Sequence, residues 1–69
     1  MKIDYTIQMN EYGGATLILT NNITDDVAQV KFCNHCIIDE FTIEQDKRAY
    51  ERELIRKYGS KVKDGTIKN

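Results

Sequence analysis

The sequence predicts a small α+β domain in which a three-stranded antiparallel sheet packs against one C-terminal helix. Two observations predict the sheet: the N-terminal segment alternates apolar and polar residues, and a second apolar segment follows a Gly-Gly pair. A capping sequence followed by apolar residues at helical spacing predicts the helix over 43–58. We therefore expect a single domain over residues 1–60, followed by a basic tail or mini-hairpin over 61–69.

The first two strands are predicted to form a hairpin over residues 2–20. From residue 3 to residue 9 the odd-numbered residues are apolar and their neighbours polar, which is the period of a half-buried strand. Residues 15–20 are rich in Leu, Ile and Thr, as strands are. A loop of residues 12–14, with Gly14 in the left-handed position, would pair Met9 with Leu17. A two-residue Gly-Gly turn would expose the leucines, so burial favours the first register, with Ile18 alone on the other face.

The segment 24–33 fits two patterns. Thr24 followed by two aspartates is typical of a helix start, with a capping hydroxyl and acids near the positive end of the helix dipole. Beyond Val27, however, apolar and polar residues alternate and no helical stripe continues. We predict a third strand at about 27–33.

The helix over 43–58 is the best-defined element after the first strand. A Thr42-Ile43-Glu44-Gln45 capping box opens it and Gly59 closes it. At about 100° per residue, its apolar residues fall in one arc about 80° wide, which we expect to cover the sheet. That arc consists of Ile43, Tyr50, Leu54 and Tyr58. After the helix, an Asp-Gly turn could pair Val62 with Ile67 in a small hairpin, and a frayed tail is the alternative.

Composition limits the classes of function. A chain of 69 residues with net charge −1 builds one small core. Residues 1–46 carry eight acids against two bases, and residues 47–69 carry eight bases against three acids. This asymmetry favours self-association or two binding faces over a dedicated nucleic-acid binder. No apolar run reaches the roughly 18 residues of a membrane span, and no signal-peptide core is present. We expect a cytoplasmic protein with no membrane partner and with reduced thiols.

Cys33-Asn34-His35-Cys36 is the one chemically dense cluster. Two cysteines at this spacing supply half of a structural zinc site, because zinc takes four ligands. The metal hypothesis is a zinc ion shared between two chains through Cys33 and Cys36, or one completed by a carboxylate such as Asp39. A second interpretation is that the two cysteines form a redox-active pair at a helix N-terminus. Two ordinary thiols at a turn are the third.

Three arginines recur every fourth residue of the predicted helix, at Arg48, Arg52 and Arg56. They form a cationic stripe that could follow phosphates, which makes them candidate nucleic-acid-binding residues. The competing interpretation is a solvated helix face. Glu44 with Arg48, and Glu53 with Lys57, have the i,i+4 spacing of stabilising ion pairs.

No residues form a recognisable catalytic set, since His35 is the sole histidine and Ser60 the sole serine. We expect a non-catalytic binding protein, a regulator or inhibitor that docks on a protein target, without a cofactor other than structural zinc. Richness in Ile, Lys and Asn indicates an AT-rich genome, and phages and mobile elements encode small proteins of this kind against host defence machinery. A homodimer is expected if a second copy covers a sheet edge or the apolar residues Ile18 and Ile37-Ile38. The alternatives are a nucleic-acid-binding accessory protein and a zinc-bridged dimer.

Overall fold

A computed structural model of the chain describes residues 1–11 and 13–62. Its single sheet is antiparallel, with strand order β1-β2-β3. The strands are β1 (Ile3–Met9), β2 (Ala15–Asn21) and β3 (Val27–Phe32), and they precede helix α1 (Glu40–Tyr58) and a 3-10 turn (Ser60–Val62). The predicted α+β architecture is confirmed, and the ambiguous segment 24–33 contains a strand.

The hairpin register differs from the predicted one by two residues. Met9 lies opposite Ala15, and Ile7 lies opposite Leu17. Asn10 and Gly14 close the hairpin through a bond from Asn10 N to Gly14 O of 2.9 Å, so three residues separate them and the loop starts one residue earlier than predicted. The apolar residues nevertheless keep the predicted face, because a shift of two preserves the alternation.

Both glycines of the hairpin are required, for different reasons. Gly13 takes the left-handed position with φ of 88°, the role the prediction gave to Gly14. Gly14 lies where a Cβ atom would come within 2.8 Å of the Phe32 carbonyl oxygen, so a side chain there would collide with β3. The backbone N–H of Gly14 donates to the Asn10 side-chain oxygen at 2.9 Å, which fixes the shorter turn.

The β2–β3 turn is organised by Asn21 and Thr24. The side-chain oxygen of Asn21 accepts hydrogen bonds from the backbone N–H groups of Ile23 (2.9 Å) and Thr24 (2.6 Å). The Thr24 hydroxyl in turn accepts from Asp26 N at 3.2 Å. Side chains that bond neighbouring backbone in this way favour a turn over a helix start, which explains why the strand pattern prevails after Thr24.

Helix α1 begins three residues before the predicted start. Asp39 is its N-cap, and the Asp39 carboxylate accepts from the backbone N–H and the hydroxyl of Thr42, each at 2.9 Å. These two bonds lower the pKa of Asp39. The predicted Thr42 cap is wrong because an ionised carboxylate at the positive helix end accepts stronger bonds than a hydroxyl. The predicted end is confirmed, since Gly59 has φ of 83° and donates to Ile55 O at 2.7 Å.

The core lies between the helix and the central strand. Leu17 and Leu19 of β2 are almost fully buried beneath the helix, as the shared apolar face predicts. The predicted arc supplies the helix side, because Ile43, Tyr50 and Leu54 are buried, and Tyr58 packs at the margin. Val62 is completely buried and extends the core beyond residue 60. Its predicted partner Ile67 lies outside the described residues.

The C-terminal half of the helix is fixed to the turn before β3 through Asp26. The Tyr50 hydroxyl donates to the Asp26 backbone oxygen at 2.6 Å, and the Tyr58 hydroxyl donates to the Asp26 carboxylate at 2.5 Å. The Lys57 ammonium lies 2.9 Å from the same carboxylate. We call Asp26, Tyr50, Lys57 and Tyr58 the Asp26 latch. It holds the helix over β2 and towards β3.

Within the latch, the bonds from Tyr58 and then Lys57 lower the pKa of Asp26. The same contacts with Asp26 raise the pKa of Tyr58 and of Lys57. Neutral Tyr58, charged Lys57 and ionised Asp26 are therefore the forms that the folded state favours.

In the described residues no helix is long and apolar enough to cross a membrane.

The latch predicts a pH-dependent stability. Because the pKa of Asp26 is depressed below its ordinary 3.8, its contribution is present above that pH and is lost as pH falls through the folded value. Because the pKa of Tyr58 is raised above 10.0, its contribution is present below that pH and is lost as pH rises through the folded value. Asp26→Asn should lower the melting temperature at neutral pH, and thermal melts should show this difference closing in acid. The neighbouring Asp25→Asn is the control, and equal effects of the two variants would contradict the latch.

Burial of Val62 predicts that the domain depends on this residue. Val62→Ala should lower the free energy of unfolding by about 2 kcal/mol, through lost burial and a residual cavity. The same substitution at Val27, which is 55% exposed, should cost less than about 1 kcal/mol. Denaturant titration of both variants measures the difference. A Val62→Ala variant as stable as Val27→Ala would show that the core ends before the 3-10 turn.

Candidate docking surface on the first strand

One long edge of the sheet is formed by β1, whose other side pairs with β2. Asn10 N bonds Gly14 O at 2.9 Å, and Asn22 N bonds Lys2 O at 3.2 Å, so the even-numbered residues direct their backbone groups towards β2. Because direction alternates along a strand, the N–H and C=O groups of Tyr5, Ile7 and Met9 point outward from the sheet. An outward row of this kind can pair with another strand.

The side chains of the same three residues are exposed, although they lie on the face that the helix covers. Tyr5 is 48% exposed, Ile7 38% and Met9 71%. We call Tyr5, Ile7 and Met9 the β1 edge. The sequence predicted this strand to be half-buried, and that expectation is wrong for these residues because the helix lies over the central strand and leaves the first one open. An exposed apolar row beside unpaired backbone marks an interaction surface.

The β1 edge also lacks the charges that usually protect an edge strand. From Tyr5 to Asn10 the chain carries no charged residue and no proline. The opposite edge, β3, carries Lys31 as its penultimate residue, and an edge lysine discourages further pairing. Of the two edges, β1 is therefore the one suited to strand addition.

A groove of about 570 Å³ continues from the β1 edge between the start of β1 and the helix. Its charged lining has both signs, with the acids Asp4 and Glu44 and the bases Lys47 and Arg48. The Lys47 ammonium lies 6.0 Å from the centroid of the Tyr5 ring, at the outer limit of a cation–π contact. Phe41, 70% exposed, precedes Glu44 by one helical turn and so lies on the same side of the helix. The groove extends the apolar surface with a mixed-charge border.

The predicted arginine stripe is exposed but is divided between two sides of the helix. Arg48 borders the β1 groove, while Arg52 and Arg56 border a second groove on the β3 side. Arg56 lies 3.5 Å from Glu53. The predicted Glu53–Lys57 pair is wrong, because Lys57 instead reaches Asp26 in the latch.

The other predicted pair, Glu44–Arg48, is not among the ion pairs of residues 1–11 and 13–62. The three arginines are exposed, and phosphate binding by them stays a prediction. Among the described residues, Glu44, Glu51 and Glu53 of the same helix interrupt the positive surface, which weakens attraction of a polyanion.

Cys33 and Cys36 lie within one turn and form a disulfide pair, and the expectation that these thiols are reduced in the cytoplasm stays a prediction. Their Cα atoms are 5.3 Å apart, inside the range of about 4.4–6.8 Å that disulfides span. A bond from Cys36 N to Cys33 O of 3.1 Å closes this turn. The helix begins at Glu40, so neither sulfur lies at its N-terminus, where a helix dipole would activate a thiolate.

The zinc hypothesis requires the reduced form of this pair. Over the described ranges 1–11 and 13–62, no three His, Cys, Asp or Glu side chains are grouped to hold a metal ion. Asp39, the proposed filler ligand, already accepts the capping bonds of the helix. Zinc shared between Cys33 and Cys36 of two chains thus stays a prediction that depends on opening the disulfide.

Comparison of the chain with protein-family models, with curated proteins and with solved structures finds no match.

The disulfide predicts the thiol and zinc content of the purified protein. Protein prepared without reductant or chelator should show no titratable thiol after denaturation, and far less zinc than the roughly half equivalent per chain that a shared site needs. Thiol titration and elemental analysis measure both quantities. The opposite result would be about half an equivalent of zinc per chain in the wild type, with both the zinc and half of the particle mass lost in a Cys33→Ser, Cys36→Ser variant. That result would establish the zinc-bridged dimer instead.

Proposed function

We propose that this chain is a small non-catalytic binding protein, a regulator or inhibitor that docks on a protein target through the β1 edge. One observation carries the proposal: the exposed apolar side chains and the outward backbone groups belong to the same three residues, Tyr5, Ile7 and Met9. A target segment in extended conformation can use both together, as in other cases of strand addition.

The chemistry of the β1 edge defines the kind of segment that fits it. Main-chain hydrogen bonds to Tyr5, Ile7 and Met9 would supply affinity irrespective of sequence. Specificity would come from every second side chain of the target, which should be apolar where it meets these three residues. Next to the groove, where Lys47 and Glu44 border the surface, polar or charged residues of the target would be accommodated.

Two carboxylates near turns, Asp26 and Asp39, support a non-catalytic protein, because each already accepts hydrogen bonds within the fold. Asp26 accepts from Tyr58 and Lys57. Asp39 accepts from Thr42. Both carboxyls have lowered pKa values, opposite to the raised pKa of a general acid.

The nucleic-acid alternative is supported by the exposure of Arg48, Arg52 and Arg56. It is less well supported than protein docking, because acids lie among these arginines and the chain as a whole has net charge −1. We further propose that the protein acts in the cytoplasm on host machinery such as a defence system, which the AT-rich composition favours. The Cys33–Cys36 disulfide would be reduced there.

Charge introduced at the β1 edge should abolish docking. Ile7→Lys places an ammonium group between Tyr5 and Met9, where it would have to be desolvated on strand addition. The tagged wild-type protein and this variant are immobilised and incubated with a nuclease-treated host lysate. The wild type should capture a specific protein that the variant does not capture. Thr6→Lys is the matched control, because residue 6 lies on the opposite face and directs its backbone towards β2.

Circular dichroism must first show that both variants are folded. A protein captured by the wild type and by Thr6→Lys, but not by Ile7→Lys, supports docking through the β1 edge. Equal capture by Ile7→Lys would show that the β1 edge is not the docking surface. Capture that occurs in untreated lysate but not in nuclease-treated lysate, and that is lost in a variant with all three arginines changed to Gln, would favour the nucleic-acid alternative.

A further inference from the structure

We infer that, in the absence of a target, the strand that pairs with the β1 edge is β1 of a second copy of this chain, so that two sheets join into one of six strands. The inference rests on the proposed function in taking the β1 edge as the docking surface. It adds the identity of a partner, and it makes self-association compete with target binding.

The backbone of β1 can pair with itself without rearrangement. Residues whose N–H and C=O groups point outward occupy positions 5, 7 and 9. In an antiparallel pair centred on Ile7, each of these residues faces an outward residue of the other chain, namely Tyr5 with Met9, Ile7 with Ile7, and Met9 with Tyr5. Hydrogen-bonded pairs of an antiparallel ladder require this correspondence. A two-fold axis through Ile7 generates it, so the interface closes as a dimer.

Neighbouring registers are less favourable. A shift that centres the pair on Thr6 would place Met9 opposite Ile3, which already packs against the core of its own chain. A shift in the other direction, centred on Gln8, would place the exposed Tyr5 opposite the exposed acid Glu11, which in the register centred on Ile7 lies opposite the half-buried Ile3 instead. The register centred on Ile7 matches the three exposed apolar side chains only with one another.

The side chains of the two copies would meet on one face. A two-fold axis perpendicular to the sheet keeps both helices on the same side, each over its own β2. Three strand spacings of about 4.8 Å then separate the helices by roughly 14 Å, more than the 8–10 Å of directly packed helices. The space between them lies above Tyr5, Ile7 and Met9 of both chains, where the Met9 sulfur can contact the Tyr5 ring across the strands.

Charge favours this edge and this partner. The pairing segment from Tyr5 to Asn10 is uncharged, so no like charges face each other across the two-fold axis. At β3, a self-paired strand spanning residues 27–32 would include Lys31 near each end. A net charge of −1 per chain gives little repulsion between copies. For a chain of this length a second copy also supplements a core at the lower limit of size.

Sedimentation or light scattering over a wide range of protein concentration tests the assembly. The wild type should reach twice the 8.0 kDa of one chain, and Ile7→Lys should dissociate at least about tenfold more readily, because it sets two ammonium groups opposite each other. Met9→Pro should weaken the dimer as well. It removes only an outward N–H, so the pairing of β1 with β2 is retained. Thr6→Lys should remain a dimer, and a mass near 8.0 kDa for the wild type at all concentrations would overturn the inference.

Cysteine cross-linking tests the register in a background with Cys33→Ser and Cys36→Ser. Ile7→Cys should form a disulfide with itself on mild oxidation, because paired residues across the axis have Cα atoms about 5.5 Å apart. Thr6→Cys should not, since Thr6 would lie diagonal to its copy. Cross-linking through Thr6 and not through Ile7 would overturn the proposed pairing.

The two proposals fail separately. A monomeric wild type that still captures a target through the β1 edge would overturn self-pairing and leave the proposed function intact. A dimer cross-linked through Ile7, whose target capture is unaffected by Ile7→Lys, would overturn the proposed function and leave the self-pairing intact.

Discussion

The position of the helix depends on the Asp26 latch. A single residue at the start of β3 accepts hydrogen bonds from Tyr50 and Tyr58 and an ion pair from Lys57, so the C-terminal half of the helix is held beside the third strand. Burial of Leu17 and Leu19 then fixes the same helix over the central strand. No comparable set of bonds among the described residues joins the helix to β1, where Lys47 lies above the Tyr5 ring. The open first strand is thus a consequence of where the helix is anchored.

An open edge strand that is uncharged from Tyr5 onward has physical consequences of its own. Its backbone groups are satisfied by water in the monomer and by another strand in a complex, and its apolar side chains favour the complex. The same three residues account for both proposals, because a target segment and a second copy need the same outward hydrogen bonds. Mutual exclusion would make the free concentration of the protein a control on target binding, since dilution releases the β1 edge.

The sequence was sufficient to predict the strands and the helix, but not which strands the helix covers. Alternation identified the first and third strands, richness in Leu, Ile and Thr identified the second, and the apolar arc with Gly59 identified the helix and its end. Asp39 was missed as N-cap because the capping box at Thr42 gave a second plausible start, and the hairpin register was missed because either adjacent glycine could take the left-handed position. The exposure of Tyr5, Ile7 and Met9 did have a signal. An arc of four apolar residues is too small to cover the apolar face of three strands. No sequence pattern predicted the latch, because Asp26 and Tyr58 are brought together only by the conformation of the turn before β3.

Residue-resolved amide hydrogen exchange tests the central claim most directly, because it reports on the outward N–H groups themselves. The N–H groups of Thr6 and Gln8, which face β2, serve as internal references for a folded hairpin. At high protein concentration, the account predicts that Tyr5, Ile7 and Met9 are protected like these references, and that only their protection is lost on dilution or in Ile7→Lys. Rapid exchange of Tyr5, Ile7 and Met9 at every concentration, with Thr6 and Gln8 protected, would contradict pairing of the β1 edge.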